Sequence, residues 1–153
     1  MIRGLSSMQK ENIILSLLFI GYTIPAFSQN LVPNPSFEDT LNCPTNQAQI
    51  YNAPPWFQPT ANTPDYFHPC SGTFIGVPQN WHGYQFARTA TAYAGFGCQY
   101  SSMNGREYIE SKLLDSLLAG KKYCVEFYVS LSDSSTVAVS NICLLYTSDA
   151  ADE

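Results

Sequence analysis

Residues 122–131 carry the sharpest pattern in the chain. Tyr123, Val125, Phe127, Val129 and Leu131 alternate with Lys122, Cys124, Glu126, Tyr128 and Ser130. A period of two sends successive side chains to opposite faces, so this segment predicts a half-buried strand with its odd-numbered positions inward. Ala119-Gly120-Lys121 predicts the turn before it. Residues 108–113 predict a second extended run, and residues 136–142 the start of a third. Residues 113–118 have a helical look, but six residues read better as a strand end and connection. Residues 89–96 are small and extended, which predicts a strand lying close to another backbone or sheet.

The first half is patterned differently. Between Cys43 and Cys70 stand Pro44, Pro54, Pro55, Pro59, Pro64 and Pro69, interleaved with Tyr51, Trp56, Phe57, Tyr66 and Phe67. Prolines at that density exclude a helix and predict a wandering loop pinned by buried rings. In residues 30–38 two prolines keep an extended opening segment out of any central ladder. Residues 77–85 read as a further loop. Several short strands with turn signals and no repeat predict an all-β fold, an antiparallel β-sandwich.

Composition then narrows the setting. The chain has 153 residues, a net charge of -5, 12% charged and 14% aromatic residues, which excludes a basic nucleic-acid binder. Residues 1–28 read as a signal peptide. Arg3 and Lys10 precede the apolar run at 13–20, and Ala26-Phe27-Ser28 supplies small residues for cleavage before Gln29. Met8 would begin a more compact signal of the same kind. The apolar run is too short to span the ~30 Å hydrocarbon core of a bilayer, so no membrane span is expected in the mature chain and the protein is expected to be secreted or on the cell surface. Residues 143–153 resemble the conceptual translation of a sequencing adapter and are set aside. The domain is therefore expected at 29–142, truncated at its C-terminus. It holds Cys43, Cys70, Cys98 and Cys124, an even number that favours disulfides in an exported chain. Cys43 with Cys70 is the preferred pair, tying off the Pro-rich segment, with Cys98 and Cys124 then paired or buried.

Asn30-Leu31-Val32-Pro33-Asn34-Pro35-Ser36-Phe37-Glu38 resembles the opening strand of galactose-binding-like jelly-roll modules and of carbohydrate-binding modules. Arg106-Glu107-Tyr108-Ile109 and the stretch from Ala119 to Ser130 look like their paired-strand segment. Together with Thr63-Pro64-Asp65-Tyr66-Phe67, Gly83-Tyr84-Gln85 and Ala92-Tyr93-Ala94-Gly95, the order is similar to the N-terminal domain of exported Bacteroidota proteins of gliding-motility-associated, OmpA-like or type IX-secreted kind. The resemblance implies a jelly roll in a larger envelope protein, with polysaccharide, envelope glycan or other envelope proteins as partners. It also implies a structural calcium near the first strand, with Glu38 and Asp39 as local ligands. Two adjacent acids fall short of six to eight oxygens, so a strand-end charge is the weightier reading.

Catalytic signatures are absent: there is no G-x-S-x-G, H-E-x-x-H or P-loop. Glu107 and Glu110 sit three apart on an extended segment and so point to opposite faces, as solvated charges rather than a hydrolytic pair. Acid–base work by Asp65 with His68 or His82 has no support, and both histidines read as loop residues. Binding is better served. Trp81, Tyr84 and Tyr128 are candidate stacking platforms, with Gln85, Asn80 and Glu126 as polar partners. Trp56, among prolines, reads as a ring that pins the loop. These residues predict a non-catalytic glycan-binding or cell-surface adhesion module. The alternatives are a structural spacer in an envelope or motility assembly, and an accessory domain of a secreted glycoside hydrolase.

Overall fold

A computed structural model of the chain describes residues 29–98 and 105–146. The expected signal segment at 1–28 and the last part of the tail at 143–153 lie outside the described residues. Four short strands appear: β1 (Asp65–Phe67), β2 (Gln79–Asn80), β3 (Gly83–Tyr84) and β4 (Tyr93–Gly95), with one 3₁₀ turn at Ile50–Asn52. They form two antiparallel pairs, β1 with β4 and β2 with β3. The fold is mostly β, with no α-helix among the described residues, and no helix there is long and apolar enough to cross a membrane.

The core belongs to the Pro-rich half. Ile50, Ala53, Tyr66 and Ala92 are buried together, with Phe37, Trp56, Ala94 and Ile109 packed against them. The residues explain the arrangement. β1 is buried along its length, Tyr66 and Phe67 as rings and Asp65 with the Ala48 amide donating to it, and Ala94 and Gly95 of β4 are small enough to let it close. Tyr66 lies opposite Ala94 and Phe67 opposite Tyr93. The Phe67 ring stacks on Tyr93 at 4.9 Å. Its edge also lies over Gly95, where a Cβ would come within 2.6 Å of Phe67 Cε2. The small residues of this strand thus admit a close neighbour, as their pattern predicts.

Buried rings pin the loop through their polar tips as well. Trp56 packs on Phe37 at 5.0 Å between ring centres, and its indole N–H donates to the Asn34 carbonyl at 2.9 Å. The Tyr66 hydroxyl donates to the Phe37 carbonyl at 2.8 Å and also meets the Thr40 hydroxyl. A buried polar group without a partner costs about 1–3 kcal/mol, so such bonds are what let these residues go inside. Asn34, at φ 42°, adopts a backbone conformation that asparagine tolerates. Its amide donates to the carbonyls of Asp39 and Pro54. The opening segment is therefore a knot of turns, not the predicted strand. The expected Cys43–Cys70 disulfide is present, closing a separation of 27 residues.

Past residue 110 the expectation fails. Residues 108–113 contribute a single bridge, Glu110 to Phe57. Residues 122–131 are extended but have no ladder partner among the described residues, and Tyr123, Phe127 and Val129 are 45%, 52% and 62% exposed. Residues 136–142 are likewise unpaired and exposed. Alternation assigns the faces of a strand, but a strand also needs a neighbour to take its N–H and C=O groups. Among the described residues no such neighbour lies beside this segment. The Gly120 turn does form, at φ +77° with the Lys121 amide donating to Leu118. The second expected disulfide is also corrected: Cys98 and Cys124 are free thiols. A bridge needs Cα atoms about 4.4–6.8 Å apart, and Cys124 sits on this exposed segment, not against the core.

Candidate functional site

β2 and β3 form a tight hairpin with Trp81-His82 at its tip. Asn80 sets that tip. Its side-chain oxygen accepts the His82 amide, while its amide donates to the Gly76 carbonyl and to the Tyr93 hydroxyl. Asn80 is buried and fully engaged, so it is a scaffold residue and not the ligand partner expected of it. With the turn fixed, the rings fan out. Trp81 is 42% exposed, stacks on Phe74 at 6.2 Å and leans on the His82 ring. Tyr84 and Phe86 are more exposed still and meet edge to face at 5.4 Å.

The structure brings most of the sequence-predicted binding residues to one neighbourhood. Gln85 accepts a hydrogen bond from the Ser130 hydroxyl at 2.7 Å, which joins the hairpin to the segment bearing Glu126 and Tyr128. On that segment the Tyr128 hydroxyl donates to the Glu126 carboxylate. Arg88, which the sequence reading missed, lies over the Tyr128 ring at 4.4 Å. Such a cation over a ring is worth about 0.5–1 kcal/mol at an exposed site. It covers part of one face of Tyr128, which is still 59% exposed, while Trp81, set against Phe74 and His82, is the least exposed of the three candidate rings.

His82 was read as an ordinary loop residue, and that reading is corrected. Its Nε2 lies 3.7 Å from the buried Asp65 carboxylate. Its Nδ1 lies 3.2 Å from both the Ser132 and Ser134 hydroxyls. Burial pushes the His82 ring below its usual value, against the pull of Asp65, so it is neutral at pH 7. Burial pushes Asp65 up, reinforced by Glu107 and opposed chiefly by the Ala48 amide, which donates to it at 2.8 Å. Around this ring the Ser132-Asp133-Ser134 turn is latched onto the hairpin. The Ser134 amide donates to the His82 carbonyl and the Tyr84 amide to Asp133. Gly83, at φ +131°, leaves the space that Asp133 fills, since any Cβ there would collide with its carboxylate. A serine-flanked acid opposite a glycine turn was the available signal, but it lies 50 residues from His82 in sequence.

Two further acids are engaged by the fold. Glu107 is buried, accepting from the Thr63 amide and hydroxyl and from the Gly97 amide, so it is not the solvated charge expected. Glu38 accepts from the amides of Thr91 and Ala92 and from the Thr91 hydroxyl. Those bonds occupy both its oxygens at the proposed calcium position. No group of three metal-ligating side chains converges among the described residues. His68 accepts the Cys70 amide and packs on Tyr66. Neither a scan of protein-family models nor searches of curated proteins and of solved structures return a match to this chain.

Proposed function

We propose that the chain is an exported glycan-binding or cell-surface adhesion module of galactose-binding-like jelly-roll type, belonging to a larger envelope protein. The observation that carries the reading is the partly exposed aromatic cluster at the hairpin: Trp81 and Tyr84 stand beside Gln85, on a turn fixed by Asn80. Exposed ring surface on a fixed turn suits the apolar faces of sugars, and neighbouring amides and carboxylates suit the hydroxyls.

Glycan-array screening followed by calorimetry tests this. The expected result is a saccharide bound by the wild type and lost in Trp81→Ala. No saccharide bound, or binding unchanged in Trp81→Ala, overturns it. Structural-spacer behaviour is favoured by a different observation, the run of exposed apolar side chains at 123–131. Exposed apolar stretches of this kind mark contact surfaces, and a spacer would copurify with envelope partners while ignoring sugars.

A further inference from the structure

Ser134, His82 and Asp65 lie in a row at the edge of the aromatic platform. Asp65 is buried, His82 half-buried and Ser134 exposed, so the row runs from the interior to the surface. The carboxylate lies 3.7 Å from Nε2, so a proton on that nitrogen would face the acid and leave Nδ1 to accept. Two hydroxyls reach Nδ1, each at 3.2 Å. They differ in their other bonds. Ser132 also donates to the His82 carbonyl at 3.0 Å and accepts the Ser134 amide, so it is bound into the turn. Ser134 Oγ touches Ser132 Oγ at 2.7 Å and is otherwise open toward solvent. A nucleophile against a base, with the base held by an acid, is the arrangement acyl transfer needs, recognised by geometry and not by sequence order.

We propose that Ser134, His82 and Asp65 form a hydrolytic relay that removes O-acyl groups from a saccharide resting on Trp81 and Tyr84. The activity adds to the binding function, and its substrate class rests on that reading. Ser134 Oγ forms a bond to the ester carbonyl carbon as its proton passes to His82 Nδ1. The bond from that carbon to the sugar oxygen breaks, and the sugar oxygen takes the proton from His82. Water then attacks the acyl-serine, giving a proton through His82 back to Ser134 Oγ and releasing the carboxylic acid. Ester and water become alcohol and acid, with no other reactant. Asp65 stabilises the imidazolium between the two transfers, and Ser132 is a positioning residue that fixes the turn carrying Ser134.

The experiment uses the full chain with p-nitrophenyl acetate, acetylated xylo-oligosaccharide and a fluorophosphonate probe read by peptide mass spectrometry. Expected are hydrolysis of both esters, labelling at Ser134, and a loss of at least about a thousandfold in Ser134→Ala, in line with removal of a serine nucleophile from such a unit. Asp65→Asn is expected to fall by about ten-thousandfold, because the amide favours the wrong histidine tautomer. Since Asp65 is buried, its variant is scored only alongside Ser134→Ala, whose exposed side chain leaves the fold intact. Absence of hydrolysis together with no labelled serine overturns the relay, as does undiminished hydrolysis in Ser134→Ala. Saccharide binding measured in the same Ser134→Ala protein keeps the two readings apart: binding without hydrolysis in the wild type sinks the relay alone.

Discussion

Two stretches of this chain, residues 31–110 and 111–146, reach opposite ends, although the second is the richer in apolar side chains. The first has six prolines between its paired cysteines, yet it buries Ile50, Tyr66, Phe67 and Ile75 almost completely. The second has the cleanest alternation and leaves Tyr123, Val125, Phe127, Val129 and Leu131 exposed. Burial in the first is secured by cross-links of high sequence separation: a disulfide, the β1–β4 pairing, and rings whose polar tips find backbone partners. The second is held to the rest by a few contacts, chiefly the latch at Ser132-Asp133-Ser134 and the Leu114 amide on the Leu31 carbonyl. A strand is a property of a pair. Periodicity states which side of a segment wants to be inside and is silent about what will lie beside it.

The largest effect separates the two regions directly. Tyr66→Ala removes a fully buried ring and should cost about 3–5 kcal/mol, whereas Phe127→Ala should change stability by no more than about 0.5 kcal/mol. Urea unfolding of the two variants measures both. A cost at Phe127 approaching that at Tyr66 would break the comparison and would place residues 122–131 in the sandwich core in solution. Next comes the cross-link. Replacing both Cys43 and Cys70 by serine should cost roughly 3–4 kcal/mol, from the closure entropy of a loop with a sequence separation of 27. Hydrogen exchange sharpens the result: amides of β1 and β4 should lose protection, while those of 122–131 are unprotected before and after.

How much of this was legible follows the same division. The Cys43–Cys70 bridge, the role of Trp56 and the close packing of the strand at 93–95 could be read because each depends on a local fact: two cysteines bracketing a Pro-rich segment, a ring among prolines, small side chains. The exposure of Trp81 and Tyr84 could be read because a polar loop containing Gly83 leaves rings outside. The rest depends on who meets whom. Nothing local says that Glu107 will receive Thr63 and Gly97, or that Arg88 will cover Tyr128. Nor does anything near His82 announce Asp65 on one side and Ser134 on the other.

A smaller effect tests the links that hold the first region shut. Glu107→Gln keeps the shape but removes the charge from the acceptor of the Thr63 and Gly97 donors. Hydrogen bonds to charged groups contribute about 1.5–3 kcal/mol and neutral ones about 1. A loss of about 1–2 kcal/mol is therefore expected in a urea melt. No loss would mean that the carboxylate is solvated, as its sequence position alone had implied.

The smallest expected effect is also the most specific in sign. Burial pushes the Glu38 carboxyl up, but the bonds from Thr91 and Ala92 outweigh it and leave the group below its ordinary 4.5. The unfolded chain therefore binds this proton more readily than the folded one. The stabilisation is fully present above pH 4.5 and is lost as the pH falls through the lowered folded value. Asp65 runs the other way: its raised carboxyl favours the folded state in acid, and that contribution fades as the pH rises through its folded value. Comparing wild type with Glu38→Gln cancels Asp65 and isolates the one group. The variant should melt roughly 2–4 °C lower at pH 7 and match the wild type well below pH 4. Repeating the pair with calcium and then with a chelator decides the remaining role of Glu38. If its oxygens are taken by Thr91 and Ala92, neither addition moves the difference; a gap that widens several degrees with calcium would transfer Glu38 and Asp39 to a metal site.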